Sequence, residues 1–152
     1  MADIVSPADR SRMMSGIKAK NSKPELMVRR AVFAAGFRFR LHRRDLPGSP
    51  DIVMPGRKIA IFVHGCFWHL HQGCHYSTLP STRPDFWKTK LQANAQRDRI
   101  ASEKLNMMGW RVLWVWECTT RHAETANDLQ DTLKDWINGN APFGEISGPK
   151  PR

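Results

Sequence analysis

The sequence predicts an α/β domain in which helices cover both faces of a mixed central sheet and a structural zinc site lies at one edge. Two short, almost wholly apolar runs, residues 58–63 and 111–116, are typical of strands buried on both faces. Helical patterns separate the strands, giving the order α, β, β, β, α, β, α. Residues 63–75 hold four of the six histidines and two of the three cysteines, which no core-packing pattern requires.

The first helix is predicted to begin at Ser22. Ser22 and Glu25 have the spacing of a capping box, and Pro24 lies in the first turn. Gly36 ends the apolar periodicity. Residues 37–41 then alternate aromatic or aliphatic side chains with arginines, which favours a half-exposed strand.

A hairpin follows the loop at residues 46–50. Residues 51–54 form its first strand, Pro55 and Gly56 its turn, and residues 58–63 its second strand. The apolar character of the second strand predicts that it is central in its sheet.

A long helix is predicted to begin at Pro84 or Asp85 and to end near Met108, before Gly109. Residues 111–116 form the next strand and residues 124–137 the last helix. The resulting organisation is a basic arm at 1–21, a globular domain at 22–138, and a disordered tail at 139–152, where Pro and Gly are frequent.

The charge indicates a polyanionic partner. The chain has 24 Lys and Arg against 14 Asp and Glu, a net charge of +10, and residues 1–44 hold eleven of the basic residues but three acidic ones. Such a basic arm is typical of nucleic-acid binding. No apolar run approaches the ~18 residues of a membrane span, and the first ten residues do not resemble a signal peptide.

The spacing of cysteines and histidines favours a closed zinc site. Cys66, His71 and Cys74 lie in one loop, and Cys118 joins them if the strand 111–116 runs beside the strand 58–63. Three sulfurs and one nitrogen complete a tetrahedral shell without an open position, so such a zinc is structural. His69 and His75 are alternative nitrogen ligands, and a buried, unliganded Cys118 is the competing interpretation.

Residues suited to phosphodiester hydrolysis lie beside that loop. Asp51 at the start of a strand can hold Mg²⁺, although a turn aspartate is an equally good interpretation. His64 and His69 can accept protons near neutral pH, or can be spare zinc ligands or solvated side chains. Glu25 is already explained by the capping box.

Three aromatic residues, Phe67, Trp68 and Trp87, flank the loop. Large aromatics beside a basic surface can stack on bases or wedge between them. Because two adjacent aromatics in a histidine-rich loop are hard to bury together, we expect Phe67 and Trp68 to contact DNA.

Four segments resemble the very-short-patch repair (Vsr) DNA mismatch endonucleases. They are GSPDIV at 48–53, IFVHGCFWHLHQGCH at 61–75, TRPDFW at 82–87 and GWRVLWVWEC at 109–118. The resemblance implies a restriction-endonuclease-like core, with His64 where restriction enzymes usually carry an acidic residue and a lysine. It also implies a Mg²⁺-dependent nick 5′ of the thymine in T·G mismatches left by 5-methylcytosine deamination, giving a 3′-hydroxyl and a 5′-phosphate.

The resemblance also implies roles for individual residues. Asp51 and the Val63 carbonyl would bind Mg²⁺, His69 would be the general base, and His64 and Glu25 would assist. The structural zinc ligands would be Cys66, His71, Cys74 and Cys118. The residues that contact DNA would be Phe67, Trp68 and Trp87 from the major groove and Met14 and Ile17 of the arm in the minor groove.

The implied partners are duplex DNA with a T·G mismatch and repair proteins such as mismatch-repair factors and a DNA polymerase. The implied protein is a cytoplasmic, nucleoid-associated bacterial monomer. The rival hypothesis is a non-enzymatic, zinc-stabilised protein that binds distorted duplex, and a weaker one is a nuclease of another fold with catalytic zinc. Asp51 and His69 distinguish the endonuclease hypothesis from the non-enzymatic one, because a protein that only binds DNA needs no carboxylate beside a spare imidazole.

Overall fold

The computed structural model describes residues 22–149, so the basic arm with Met14 and Ile17 lies outside the described residues. Within that range no helix is long and apolar enough to cross a membrane. The elements in chain order are α1 (Lys23–Ala34), β1 (Arg40–Leu41), β2 (Ile52–Met54), a 3₁₀ turn (Pro55–Arg57), β3 (Ile59–His64), α2 (Pro84–Met107), β4 (Arg111–Trp116), α3 (Cys118–Arg121), α4 (Ala123–Asn138) and β5 (Phe143–Ile146).

The sheet is mixed and has five strands in the order β1-β2-β3-β4-β5. β1, β2 and β3 pair antiparallel, whereas β4 and β5 run parallel to β3. The predicted hairpin and the central position of its second strand are therefore confirmed. β3 is buried along most of its length because helices cover both of its faces.

Alternate residues of β3 pack against different helices. One face of the sheet packs on the apolar stripes of α1 and α4, in a cluster that includes Val28, Val32, Ile59, Ile61, Leu113, Leu129 and Leu133. The other face packs on α2, in a cluster that includes Ala60, Phe62, Leu105 and Val112. This three-layer arrangement brings α2 over the face that carries His64.

The strand predicted at residues 37–41 is shorter than expected. Only Arg40 and Leu41 pair, opposite Val53 and Ile52. β2 has three residues, so it offers few partners to β1. Phe37 is instead buried in the core cluster next to α1.

The prediction of a disordered tail at 139–152 was wrong for the residues that follow α4. Phe143–Ile146 form β5, which pairs with the exposed edge of β4. The Phe143 ring packs against Trp114 with centroids 4.9 Å apart. Gly144 lies directly under the Trp136 indole, where a Cβ would overlap the ring. The ordered domain therefore extends past residue 138 to at least Gly148, whose amide bonds Cys118.

Candidate active site and metal centre

The candidate site lies at the sheet edge where β3 and β4 end together. The two strands are parallel, and His64 is paired with Trp116 at their carboxyl ends. The Glu117 amide donates to the His64 carbonyl at 2.8 Å, so the two loops that leave the strands start side by side. The sequence prediction that Cys66 and Cys118 leave the same edge is confirmed.

Four predicted metal ligands meet beyond this edge. The ligating atoms of Cys66, His71, Cys74 and Cys118 all lie within 4.8 Å of one another. Cys118 Sγ is 3.6 Å from His71 Nδ1, close to the ~3.5 Å edge of a tetrahedron with zinc–sulfur and zinc–nitrogen bonds of ordinary length. The donor set and its spacing therefore fit a tetrahedral metal ion such as zinc.

His71 is the histidine that clusters with the three cysteines among the described residues. Its ring stacks on Trp116 at 4.0 Å and 5° from parallel, which orients Nδ1 toward Cys118. His75 is exposed and contacts Tyr76. His69 belongs to a different cluster, described below.

The surroundings of Cys118 favour the thiolate form of its side chain. A hydrogen bond from Cys66 lowers the pKa of Cys118 to about 5, and the Gly148 amide, 3.2 Å away, adds to this effect. The same hydrogen bond, together with burial, raises the pKa of the Cys66 thiol. The two sulfurs thus share a proton that a metal ion would replace.

Asp51 is fixed against the end of β3. Its Oδ2 accepts a hydrogen bond of 2.7 Å from the Val63 amide. Burial, with Glu25 nearby, raises the pKa of Asp51 to about 7, so without a metal this carboxyl is partly protonated at neutral pH. Such a buried carboxylate requires a compensating positive charge.

The Val63 carbonyl points toward the same side of β3 as Asp51. Within a strand, the N–H and C=O of one residue point to the same side. The Val63 amide faces Asp51, while the His64 carbonyl faces Glu117 on the β4 side. Asp51 and the Val63 carbonyl can therefore supply two oxygens to one hard cation.

Glu25 lies at this site and is not only a capping residue. Its amide donates to Ser22 Oγ at 3.4 Å, as the capping box predicts. Its carboxylate, however, is buried and bonds to Arg29 and to His42 Nε2, the latter at 2.9 Å. Ligating atoms of Glu25, His42 and Asp51 lie within 4.8 Å of one another.

A second polar cluster lies on the α2 side of β3. His69 Nδ1 is 2.6 Å from Asp98 Oδ2, and His64 Nε2 is 3.9 Å from Asp98 Oδ1. The His64 and His69 rings stack at 4.0 Å and 8° from parallel. One carboxylate from α2 thus faces both imidazoles.

His64 is held in its neutral form. Burial lowers the pKa of His64 well below its usual value, and the nearby His69 and His71 add to this effect. His64 Nδ1 is buried and has no hydrogen-bond partner among residues 22–149. A buried polar atom without a partner is costly in a purely structural site.

The three aromatic residues form one partly exposed cluster. Phe67 lies 5.1 Å from Trp68 and 5.7 Å from Trp87 between ring centroids. The loop that carries the first two is tied to α2, because Asn94 donates to the Trp68 carbonyl at 3.0 Å.

The described residues for which the sequence predicted a catalytic or metal role thus fall into three clusters, and the Val63 amide bonds the Asp51 of one of them. Three further residues of the site, Asp98, His42 and Arg29, were missed. Asp98 lies among the many charged residues of α2, where an aspartate is usually solvated. No sequence pattern distinguished it.

The chain is similar to DNA mismatch endonucleases and to nicking enzymes. The family model described as DNA mismatch endonuclease Vsr matches residues 2–75. The Escherichia coli DNA mismatch endonuclease Vsr is 38% identical over 148 residues, covering 96% of this chain and 94% of that protein. The Type II nicking enzyme V.XorIIP of Xanthomonas oryzae is 49% identical over 118 residues, covering 78% and 86%. V.NmeAIP of Neisseria meningitidis is 37% identical over 141 residues, covering 90% and 100%.

Proposed function

This chain belongs to the Vsr family of DNA mismatch endonucleases, and we propose that it nicks one strand of a duplex 5′ of the thymine in a T·G mismatch. The mismatch would be the one left by deamination of 5-methylcytosine. The observation that carries the hydrolytic function is the position of Asp51 and the His64–His69–Asp98 cluster at the same end of β3.

Asp51 and the Val63 carbonyl would hold Mg²⁺. When bound, the ion supplies positive charge that stabilises the phosphate oxygens in the transition state. A Glu25 carboxylate oxygen lies within 4.8 Å of one of Asp51 and would support this position, with its own orientation set by Arg29 and His42.

His69 would act as the general base on the attacking water. A neutral His69 donates its Nδ1 proton to Asp98, which leaves Nε2 as the proton acceptor. The water oxygen forms a bond to phosphorus, the bond to the 3′ oxygen breaks, and the products are a 3′-hydroxyl and a 5′-phosphate. His64 packs flat on His69 and would limit the rotation of its ring.

Asp98→Asn is expected to lower the nicking rate about 100-fold while the protein stays folded. An amide in place of the carboxylate weakens the hydrogen bond that orients His69 and selects its tautomer, and losses of orienting partners cost 10–100-fold or more. Single-turnover nicking of a T·G duplex measures this. Asp128→Asn, an exposed change on α4, is the control, and equal rates in the two variants would contradict the role of Asp98.

The remaining features have supporting roles in this proposal. The cluster of three cysteines and His71 would bind a structural Zn²⁺ that orders the loop carrying His69 and the aromatics. The arm, with Met14 and Ile17, would enter the minor groove. We also propose that the mixed sheet is a restriction-endonuclease-like core. The monomeric state, repair partners and cellular location stay predictions.

Trp68→Ala is expected to weaken binding to a T·G duplex about tenfold more than binding to a matched duplex. Phe67, Trp68 and Trp87 would fill the gap opened at a poorly stacked wobble pair, and stacking is worth ~1–3 kcal/mol per base. Fluorescence anisotropy with both duplexes measures the ratio. Phe33→Ala, an exposed aromatic on α1, is the control. If Trp68→Ala weakens both duplexes equally, the side chain only packs the loop.

The direct experiment is a nicking assay on two duplexes that differ in one base pair, T·G against T·A, with and without Mg²⁺. The proposal expects a single nick 5′ of the mismatched thymine, in one strand and only with the metal. A protein that binds the mismatch but never nicks would support the rival hypothesis of a non-enzymatic DNA-binding protein.

A further inference from the structure

A cavity of about 400 Å³ opens beside the candidate active site. Val63 and His69 line it, and so do Phe67 and Trp68 of the aromatic cluster. Arg121 of α3 is the only Lys or Arg among the described residues of this lining. The cavity therefore joins two residues of the candidate active site, two residues of the aromatic cluster and the ion pair of Arg121 with Glu117.

The Arg121 guanidinium is held in place. Its Nη2 donates to Glu117 Oε2 at 3.1 Å, and its central carbon lies 4.7 Å from the centroid of the Tyr76 ring. Half of the side chain stays accessible to solvent. A guanidinium has five N–H donors, so it can donate hydrogen bonds to a carboxylate at one edge and to a second anion at another.

Glu117 links this arginine to the framework of the site. Its Oε1 accepts from the Cys66 amide at 3.4 Å, and its own amide donates to the His64 carbonyl at 2.8 Å. The position of Arg121 is thereby fixed relative to the end of β3. An ordinary exposed i,i+4 ion pair has no such connection and contributes little to stability.

We propose that this cavity receives the DNA backbone phosphate next to the scissile phosphate and that Arg121 is the positioning residue that binds its oxygens. This inference rests on the proposed endonuclease function. The planar fork of arginine matches phosphate oxygens, and phosphate contacts set the register of a protein on the duplex. With the neighbouring phosphate bound at Arg121, the scissile phosphate would lie beside His69 and Val63, which line the same cavity.

The test compares wild type with Arg121→Gln on T·G duplexes in which single phosphates around the nick site are replaced by uncharged methylphosphonates. Binding is measured without added Mg²⁺, so that no cleavage occurs. In wild type we expect one replacement beside the nick to weaken binding about tenfold. Arg121→Gln should bind the unmodified duplex about tenfold more weakly and should be insensitive to that same replacement. Its log–log salt slope should fall by about 0.9, the value for one lost phosphate contact.

Arg57→Gln is the matched control, since Arg57 also lies over an aromatic ring, that of Phe37, at 4.8 Å, but at the opposite end of β3 from the site. It should retain the wild-type sensitivity and slope. Equal sensitivity of wild type and Arg121→Gln at every phosphate would overturn the inference, whatever the nicking result. If the wild-type protein does not nick T·G duplexes in the presence of Mg²⁺, the proposed function is contradicted instead. The wild-type methylphosphonate series gives its answer even if Arg121→Gln folds poorly, because an unaffected series also overturns the inference.

Discussion

His71→Ala and Cys118→Ala are expected to abolish metal binding and to unfold the protein, whereas His75→Ala should keep both metal and fold. The ligating atoms of the first two lie in one cluster with Cys66 and Cys74. Structural zinc binding is worth ~10–16 kcal/mol, which matches or exceeds the ~5–15 kcal/mol by which a domain is stable. Loss of one ligand should therefore remove most of the stability.

Elemental analysis and thermal unfolding measure this result, with one zinc ion per chain expected for wild type and for His75→Ala. His75 is a matched control because it lies in the same loop but is exposed. Excess chelator should unfold wild type in the same way. A folded wild-type protein that contains no metal would contradict the zinc proposal, and metal loss in His75→Ala alone would show that the wrong histidine had been assigned.

Asp51→Asn and His69→Ala are expected to lower the single-turnover nicking rate by about 10³-fold or more. A general base is worth ~10²–10⁴, and the carboxylate change removes the charge that the metal requires. Binding to T·G duplexes should change less than about threefold, because affinity comes mostly from phosphate contacts. The two groups act in the transition state, so their loss affects rate more than binding.

The controls for this pair remove the same two kinds of side chain from exposed positions to which no catalytic role is assigned. Asp45→Asn removes an exposed carboxylate that pairs with Arg43, and His75→Ala removes an exposed imidazole. Both should nick at the wild-type rate. Wild-type turnover in Asp51→Asn would exclude this carboxylate as the metal ligand, and wild-type turnover in His69→Ala would exclude it as the base.

Most of the secondary structure was predictable from local sequence. The capping box at Ser22, the apolar runs of β3 and β4 and the glycine after α2 each report interactions within a few residues, so element types and approximate bounds followed. The strand β5 was not predicted because it depends on tertiary contacts. β5 forms because β4 offers an unpaired edge and Trp114 a surface for Phe143, and neither is visible in the Pro- and Gly-containing sequence around it.

The sequence by itself determined the chemical content of the site: an aspartate before a strand, and a histidine- and cysteine-rich loop after the next one. Three further features of the site were determined only by the tertiary structure. It separated His71, which faces the cysteines, from His69, which faces Asp98. It turned Glu25 from a capping residue into a buried partner of His42 and Arg29. It placed Arg121 at the cavity wall. The contacts His71–Cys118, His69–Asp98 and Glu25–His42 join residues 47, 29 and 17 positions apart. Only the parallel β3–β4 pairing and the packing of α1 and α2 on the sheet bring such residues together.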